Sequence, residues 1–388
     1  MANPTHDSQP RPKNRGGWRR SVRRAAVALM VLCLIGVTAF VILAKDHIRS
    51  LWSFRRVPNT NMYVMDYYGT YNVARLYQDG IDVQDIPGSL IRNFFPPFLV
   101  PIANAISGHA KASGSRQSWD HSCSTISFCT EQGEMYFGRN FDWDHDPCLI
   151  VQVHGKDGPS SVAVLDPYYL QLDQAKLENL RLSDRLRLLL APYLVFDGMN
   201  EWGVAVATMA ATESKAAVDP RKPTVVKPLM ERIILDYAHN TEEAIALVRR
   251  YNIDFSGTEF TGGPCHFMIA DASGKSVVVE FVEGRIEVVV SPGPWQVSTN
   301  HLLFGKTDPE NCDRCPRYRT ASGRLAQRNL RMDSTNMMEI MSSISVENWT
   351  MWTSVYNLAT GEFQVAYRRK YHEPYSSRLE VQSLTESR

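Results

Sequence analysis

This sequence is short of charge imbalance, of cysteine and of metal-ligand spacing, and each shortage removes a class of function. Lysine and arginine together number 42 against 41 for aspartate and glutamate, a formal net charge of +1. Outside the first 24 residues no stretch carries a strong sign, so the electrostatic footprint of a nucleic-acid binder is missing and no nucleic-acid partner is expected. The seven cysteines (Cys33, Cys123, Cys129, Cys148, Cys265, Cys312 and Cys315) are too few and too scattered for a disulfide-stapled scaffold. Cys312 and Cys315 have the spacing of half a zinc site, but no second CxxC and no HxxxH accompanies them, so a short local disulfide or two separate thiols is expected there. His121, His145 and His266 raise a cysteine–histidine protease, yet the sequence has no papain-like CGSCW string. Internal repeats and heptad arrays are also missing.

What is present is enough for a large core: 44% of the residues are hydrophobic in a chain of 388. Residues 1–24 are rich in proline, arginine and asparagine, with too few apolar side chains to offset the entropy of folding, and read as a disordered tail. The run 25–44 (AAVALMVLCLIGVTAFVILA) is uncharged and about as long as a membrane-crossing helix needs to be. Arg11, Lys13, Arg15, Arg19, Arg20, Arg23 and Arg24 precede it. The positive-inside bias then makes residues 1–24 cytoplasmic and places the rest outside, a single-pass signal anchor. A cleaved signal peptide ending near Ala44 is the competing reading, although the apolar core exceeds the usual signal length. One sequon, Asn348-Trp349-Thr350, would be accessible in that topology.

Residues 45–122 mix aromatic and proline-punctuated stretches and end in the polar SGHAKASGSRQS, an exposed, cleavable linker. From Cys123 the pattern changes to short alternating strands joined by turns. STISFCT, the turn EQGE and MYFGRNFDW read as a hairpin; further strands fit 203–210, 265–270, 276–282 and 285–291, with a last hairpin from Trp352 to Tyr367 through Thr360-Gly361. Helical segments fit 174–190, 227–239, 241–251 capped by Asn240, and 334–343. Antiparallel strands interleaved with helical pairs imply an α+β fold; these signals alone fit two stacked sheets or one.

The chemistry concentrates in CSTISFCTEQGEMYFGRNFDW, residues 123–143. A hairpin returns Arg139 and Asp142 beside Cys123, and a guanidinium close to a thiol favours the thiolate. If the bond between Ser122 and Cys123 is cut, the released α-amino group has the basicity to act as general base for its own side chain, with Asp142 orienting the amine. The structural alternatives are a buried core cysteine, an ordinary ion pair and, for Asn300, a turn residue after a strand. Cys129, Cys148 and Cys265 read as packed thiols.

In these residues the sequence resembles the choloylglycine hydrolase and penicillin V acylase group of cysteine N-terminal-nucleophile hydrolases, which includes relatives such as acid ceramidase and the isopenicillin N acyltransferases. In that group a cysteine opens a strand, a turn follows, and the next strand carries an arginine and, three residues on, an aspartate, the spacing of Cys123, Arg139 and Asp142. FDGMNEWGVAVATMA (196–210), CHFMIADASGKSVVVEF (265–281) and WQVSTN (295–300) look similar as well. The resemblance spans about 120–370 and implies a four-layer αββα sandwich over 123–375, followed by a tail at 376–388, with residues 45–122 as a pro-segment. It also implies that Asn300 donates to the oxyanion, that an arginine from PRYRTA joins the site, Arg317 in preference to Arg319, and that no metal or organic cofactor takes part. Where bile-salt hydrolases carry an asparagine after the GVAVA-like strand, this chain has Ala210, which argues against carrying over a bile-salt or penicillin preference. The implied reaction is hydrolysis of a linear N-acyl amide through a thioester on Cys123. Transfer of the acyl group to an amine, or a catalytically silent membrane-anchored binding protein, are the rivals.

Overall fold

The computed structural model describes residues 15–82, 85–94, 123–144, 146–156, 158–256, 263–305 and 315–382. Ser122, the linker before it, His121, His145 and Cys312 lie outside these residues. Along the chain run helix α1 (Arg15–Ser53), strands β1 (Arg55–Arg56) and β2 (Met62–Tyr67), and helices α2 (Val73–Asp79) and α3 (Ile86–Phe94). Strands β3 (Ser124–Cys129), β4 (Met135–Asp142), β5 (Cys148–Val153) and β6 (Ser161–Leu165) follow, then helices α4 (Gln174–Glu178) and α5 (Leu182–Arg187). Next come β7 (Asp197–Asn200), β8 (Val204–Ala210), β9 (Thr224–Val225), α6 (Lys227–Tyr237), α7 (Thr241–Arg249) and β10 (Asn252–Ile253). The chain continues through β11 (Cys265–Asp271), β12 (Ser276–Val282), β13 (Arg285–Val290), β14 (Trp295–Ser298), α8 (Pro316–Ala326) and α9 (Ser334–Ser343). It closes with β15 (Thr350–Asn357), β16 (Glu362–Tyr367) and β17 (Tyr375–Arg378).

The strands form a nine-stranded sheet in the order β1-β2-β5-β6-β7-β8-β11-β12-β13 and a six-stranded sheet in the order β14-β3-β4-β15-β16-β17, with β9 and β10 as a small parallel pair. Period-two alternation decides how the layers stack. On β4, Arg139 and Phe141 reach across to the larger sheet, where Arg139 meets Asp197 and Phe141 stacks edge-on to Phe196. Gly138 and Asn140 point the other way: Asn140 donates to the Met341 carbonyl, and Gly138 lies under Met337 and Met341. Helices α8 and α9 therefore cover the outer face of the six-stranded sheet, and α6 and α7 cover the outer face of the other. The result is helix, sheet, sheet, helix, the four-layer arrangement the resemblance implies.

Local chemistry explains the joints. Between β3 and β4, Gly133 sits at φ +83°, a conformation glycine adopts without penalty. The Asn240 side chain accepts from the Glu243 N–H at 2.9 Å and caps α7. The segment expected as one helix over 174–190 is instead α4, α5 and a 3₁₀ stretch, Leu188–Tyr193, containing Pro192, which cannot supply a helical N–H.

The described residues between 45 and 94 are integrated into the fold. Strand β2 pairs in parallel with β5, from Met62 opposite Cys148 to Tyr67 opposite Val153, and its side chains enter both hydrophobic clusters. At the other end β17 extends the smaller sheet past residue 375 by pairing with β16. Among the described residues no helix is long and apolar enough to cross a membrane. The run 25–44 lies within α1, and the side chains at 32, 33, 35–37, 39, 40 and 43 are outside the described residues, so the expected span falls partly on positions the structure does not describe.

Candidate active site

Cys123 precedes β3 and is 5% exposed. Antiparallel pairing of β3 with β4 sets Ser124 opposite Asn140, which brings Arg139 and Asp142 to either side of the cysteine. Arg139 Nη2 lies 3.6 Å from Cys123 Sγ and donates to the Thr208 carbonyl at 2.8 Å; Nη1 donates to Asp197 Oδ2 at 3.0 Å. Its plane is held over the Phe141 ring, 4.8 Å from the centroid.

Asp197 is the anchor of this arginine, and it received no role from the sequence. Its carboxylate accepts from Trp352 Nε1 at 2.9 Å, from the Tyr356 hydroxyl at 2.6 Å and from the Ser354 hydroxyl, so a buried charge has four donors with Arg139 included. That satisfies the rule that buried charges be paired and hydrogen-bonded. The signal available in sequence was the FDGMN string, an acid among apolar residues at the start of a strand.

On the opposite face of β4, Asp142 accepts from the Thr350 hydroxyl at 2.5 Å and from Arg317 Nη1 at 3.2 Å. Burial pushes its carboxyl up to about 6, against the lowering pull of Arg317. Arg317 stands on the first turn of α8, a helix that sequence patterning missed. Its Nη1 also donates to the Cys123 carbonyl at 2.9 Å, and Nη2 donates to Asn300 Oδ1 at 2.9 Å. Arg319 is exposed, so of the two candidate arginines the structure brings Arg317 to the cysteine. Asn300 Nδ2 donates to the Ala210 carbonyl at 2.8 Å. A primary amide carries two N–H donors, and this bond uses one of them.

The loop bearing Asn300 is held from below by a buried histidine. His266 Nε2 lies 2.7 Å from the Thr299 carbonyl and Nδ1 lies 3.2 Å from Glu280 Oε1, while Glu280 also accepts from the Leu303 and Phe304 N–H groups. His266 is thus a support for the loop. Cys148 and Cys265 are buried in the core and Cys129 is half-buried. Cys315, a free thiol, accepts from the Thr299 hydroxyl at 3.3 Å; its expected disulfide partner Cys312 is outside the described residues.

One expectation changes sign. Arg139 does favour the Cys123 thiolate, but burial of the sulfur is the larger effect and the thiol is pushed above its ordinary value. A thiol in this position is not ionised by its surroundings alone and needs a base.

The arrangement defines a class: a cysteine at the head of a strand of an αββα sandwich, flanked by an arginine and an aspartate from the next strand and by an amide and a second arginine from beyond. The model of the family described as linear amide C–N hydrolases, choloylglycine hydrolase family, matches residues 123–313, opening on Cys123 itself. Through that region, just under half of the chain, the sequence is similar to the choloylglycine hydrolase family. Among curated proteins no significant relative is found. Similar solved structures include penicillin V acylase from Agrobacterium tumefaciens (16% identity, TM-score 0.45, covering 66% of this chain and 84% of that one). Conjugated bile acid hydrolase from Clostridium perfringens is another (15%, 0.47, 68% and 94%), as is the Caenorhabditis elegans ortholog of N-acylethanolamine-hydrolyzing acid amidase (16%, 0.43, 66% and 100%). At these scores the likenesses carry no part of the functional argument.

Proposed function

We propose that this protein hydrolyses a linear N-acyl amide through a thioester on Cys123, after cleavage of the Ser122–Cys123 bond makes that cysteine the first residue of a new chain. The observation that carries the reading is the contact of Arg139 Nη2 with Cys123 Sγ, in a site where burial still keeps the thiol protonated. The α-amino group freed by cleavage is the base such a thiol lacks. It takes the thiol proton as sulfur attacks the amide carbonyl, then delivers it to the departing amine. Water next attacks the thioester, giving its proton to the amine base, which passes it to the departing Cys123 sulfur as the acid is released. Asn300 supplies a side-chain N–H toward the oxyanion, Arg317 holds Asn300 and Asp142 in register, and Asp142 orients the amine. No cofactor is assigned to this sequence of steps.

The N-terminal helix supports a membrane tether. Val27, Leu29, Leu34 and Ile42 stand 59%, 63%, 65% and 61% exposed, an apolar surface that packs against nothing else described and that follows an arginine-rich segment. With the catalytic domain on the extracytoplasmic side, amphiphilic N-acyl amides with long or aromatic acyl groups are the favoured small-molecule substrates. The cavity at Cys123 is walled by Phe141, Trp143, Tyr169, Phe196 and Pro228, which suits an apolar acyl group. The test is kcat/KM over N-acyl amides of increasing chain length together with phenoxyacetyl amides: a rise of about 0.8 kcal/mol in transition-state binding per methylene is expected until the pocket fills. A flat series, or a preference for acetyl, would remove the apolar pocket from the account. Adding free amines to the same assay and looking for new amides separates hydrolysis from acyl transfer.

A further inference from the structure

The cavity that opens on Cys123 has a volume of about 60 Å³ and does not end in hydrocarbon. Besides the aromatic residues it is lined by Thr208, Lys227 and Glu231, the last two on successive turns of the same face of α6. Glu231 is 1% exposed, and its Oε1 has no hydrogen-bond partner among the described residues. The Thr208 hydroxyl, buried beside it, lies close enough to interact with the same carboxyl but makes no well-formed hydrogen bond among the described residues. Native structures rarely leave such groups unmade without a reason, because each loses its bonds to water on burial and gains none in return.

The charges nearby narrow what can fill the gap. Arg139 is already neutralised by Asp197, and Lys227 donates to the Gly263 carbonyl at 3.0 Å. A cationic group entering the cavity would be repelled by both, and an anion would meet cations that already have partners. A neutral O–H satisfies Glu231 Oε1 as a donor and Thr208 as an acceptor without adding charge.

We propose that Glu231, with Thr208, is a specificity-determining pair that selects amides carrying a hydroxyl group on the portion that enters this cavity. The idea rests on the amide-hydrolase reading of Cys123 and deepens it. A pocket built to bond a substrate hydroxyl rejects the analogue lacking it far more strongly than an apolar pocket rejects a missing methylene.

The experiment pairs hydroxylated and deoxy N-acyl amides, with the hydroxyl placed on the acyl side in one series and on the amine side in the other, and compares kcat/KM for wild type, Glu231→Gln, Glu231→Met and Thr208→Val. In one series the wild type is expected to prefer the hydroxylated member by at least about tenfold. Glu231→Gln, which keeps a carbonyl acceptor, is expected to retain most of the preference, and Glu231→Met to reduce it to within about threefold. Thr208→Val, which keeps the backbone carbonyl used by Arg139, reports on the pair if the methionine variant fails to fold, and should narrow the preference too. A ratio near one in both wild-type series, or a ratio that neither Glu231→Met nor Thr208→Val changes, overturns the proposal while leaving the hydrolase reading intact. Calorimetric binding of the hydroxylated and deoxy free acids and free amines to wild-type protein is measured in parallel. If no amide is turned over, the hydrolase reading falls, and equal affinities in those titrations then overturn the hydroxyl subsite on its own terms.

Discussion

Arg139 makes three different contacts in three directions: an ion pair with Asp197, a bond to the Thr208 carbonyl and an approach to the Cys123 sulfur. A planar fork can do this and a single ammonium cannot, so Arg139→Lys is not a conservative change here. It is expected to lower kcat/KM by about a hundredfold or more, with folding retained, when kinetics and thermal unfolding are measured on the same preparation. Activity within a factor of a few of wild type would mean that the arginine only neutralises Asp197. Glu231 gives a prediction in pH. Its ordinary value is 4.5 and burial pushes it up to about 8. Between those two pH values the folded chain holds a proton that the unfolded chain has released, so its contribution to stability falls as pH rises through the window. The cost is absent below about 4.5 and complete above about 8, where it amounts to roughly 5 kcal/mol. Glu231→Gln removes the titration, so its Tm should drop less than wild type's between pH 5 and pH 8. Identical pH slopes would show that the carboxyl does not titrate there.

At the scale of single elements, the β3–β4 hairpin does the positioning, and its alternation sends Arg139 and Asp142 to opposite faces of one strand. Gly138, immediately before Arg139, faces α9 closely: a β-carbon there would come within 3.1 Å of Met341 Cγ and Sδ and 3.2 Å of Met337 Cγ. Gly138→Val therefore has to displace these methionine side chains or the helix that carries them, and is expected to destabilise by about 1–3 kcal/mol in denaturant unfolding, with catalysis reduced in step. Unchanged stability would mean that the two flexible methionines absorb the added volume. This hairpin was legible in the sequence because a turn signal separates two alternating runs, and the capped helix α7 was legible through Asn240. The strands β5 and β6 were not. Both are buried, CLIVQV and SVAVL, and short apolar runs of that kind carry no period to tell strand from helix. Helix α8 was missed because its sequence, PRYRTASGRLA, is mostly polar and is held by three buried positions, Tyr318, Ala321 and Leu325, with Ser322 beside them. Asp197 was missed for a related reason: its importance lies in four partners drawn from β4 and β15, and FDGMN shows the acid but not those partners.

For the molecule as a whole, the decisive feature is that the chain before Cys123 contributes a strand to the interior of the large sheet. Met62, Val64 and Met65 are 0–1% exposed, and the pairing of β2 with β5 covers six residues on each strand. If the bond before Cys123 is cut as proposed, the two pieces stay joined through this pairing. Two chains should be seen on a denaturing gel and one species on gel filtration in detergent, dissociating only when the fold itself unfolds. Loss of the N-terminal piece under native conditions would contradict this.

The central claim is that Cys123 becomes a chain terminus and then carries the acyl group. Intact mass spectrometry of the purified protein, acid-quenched during turnover of an N-acyl amide, reads both events in one spectrum. The account predicts a chain whose mass begins at Cys123, accompanied by the same chain heavier by one acyl group, and neither species from Cys123→Ala. A fully active protein whose only chain runs uncut through Ser122 and Cys123, with no acyl adduct, would contradict it.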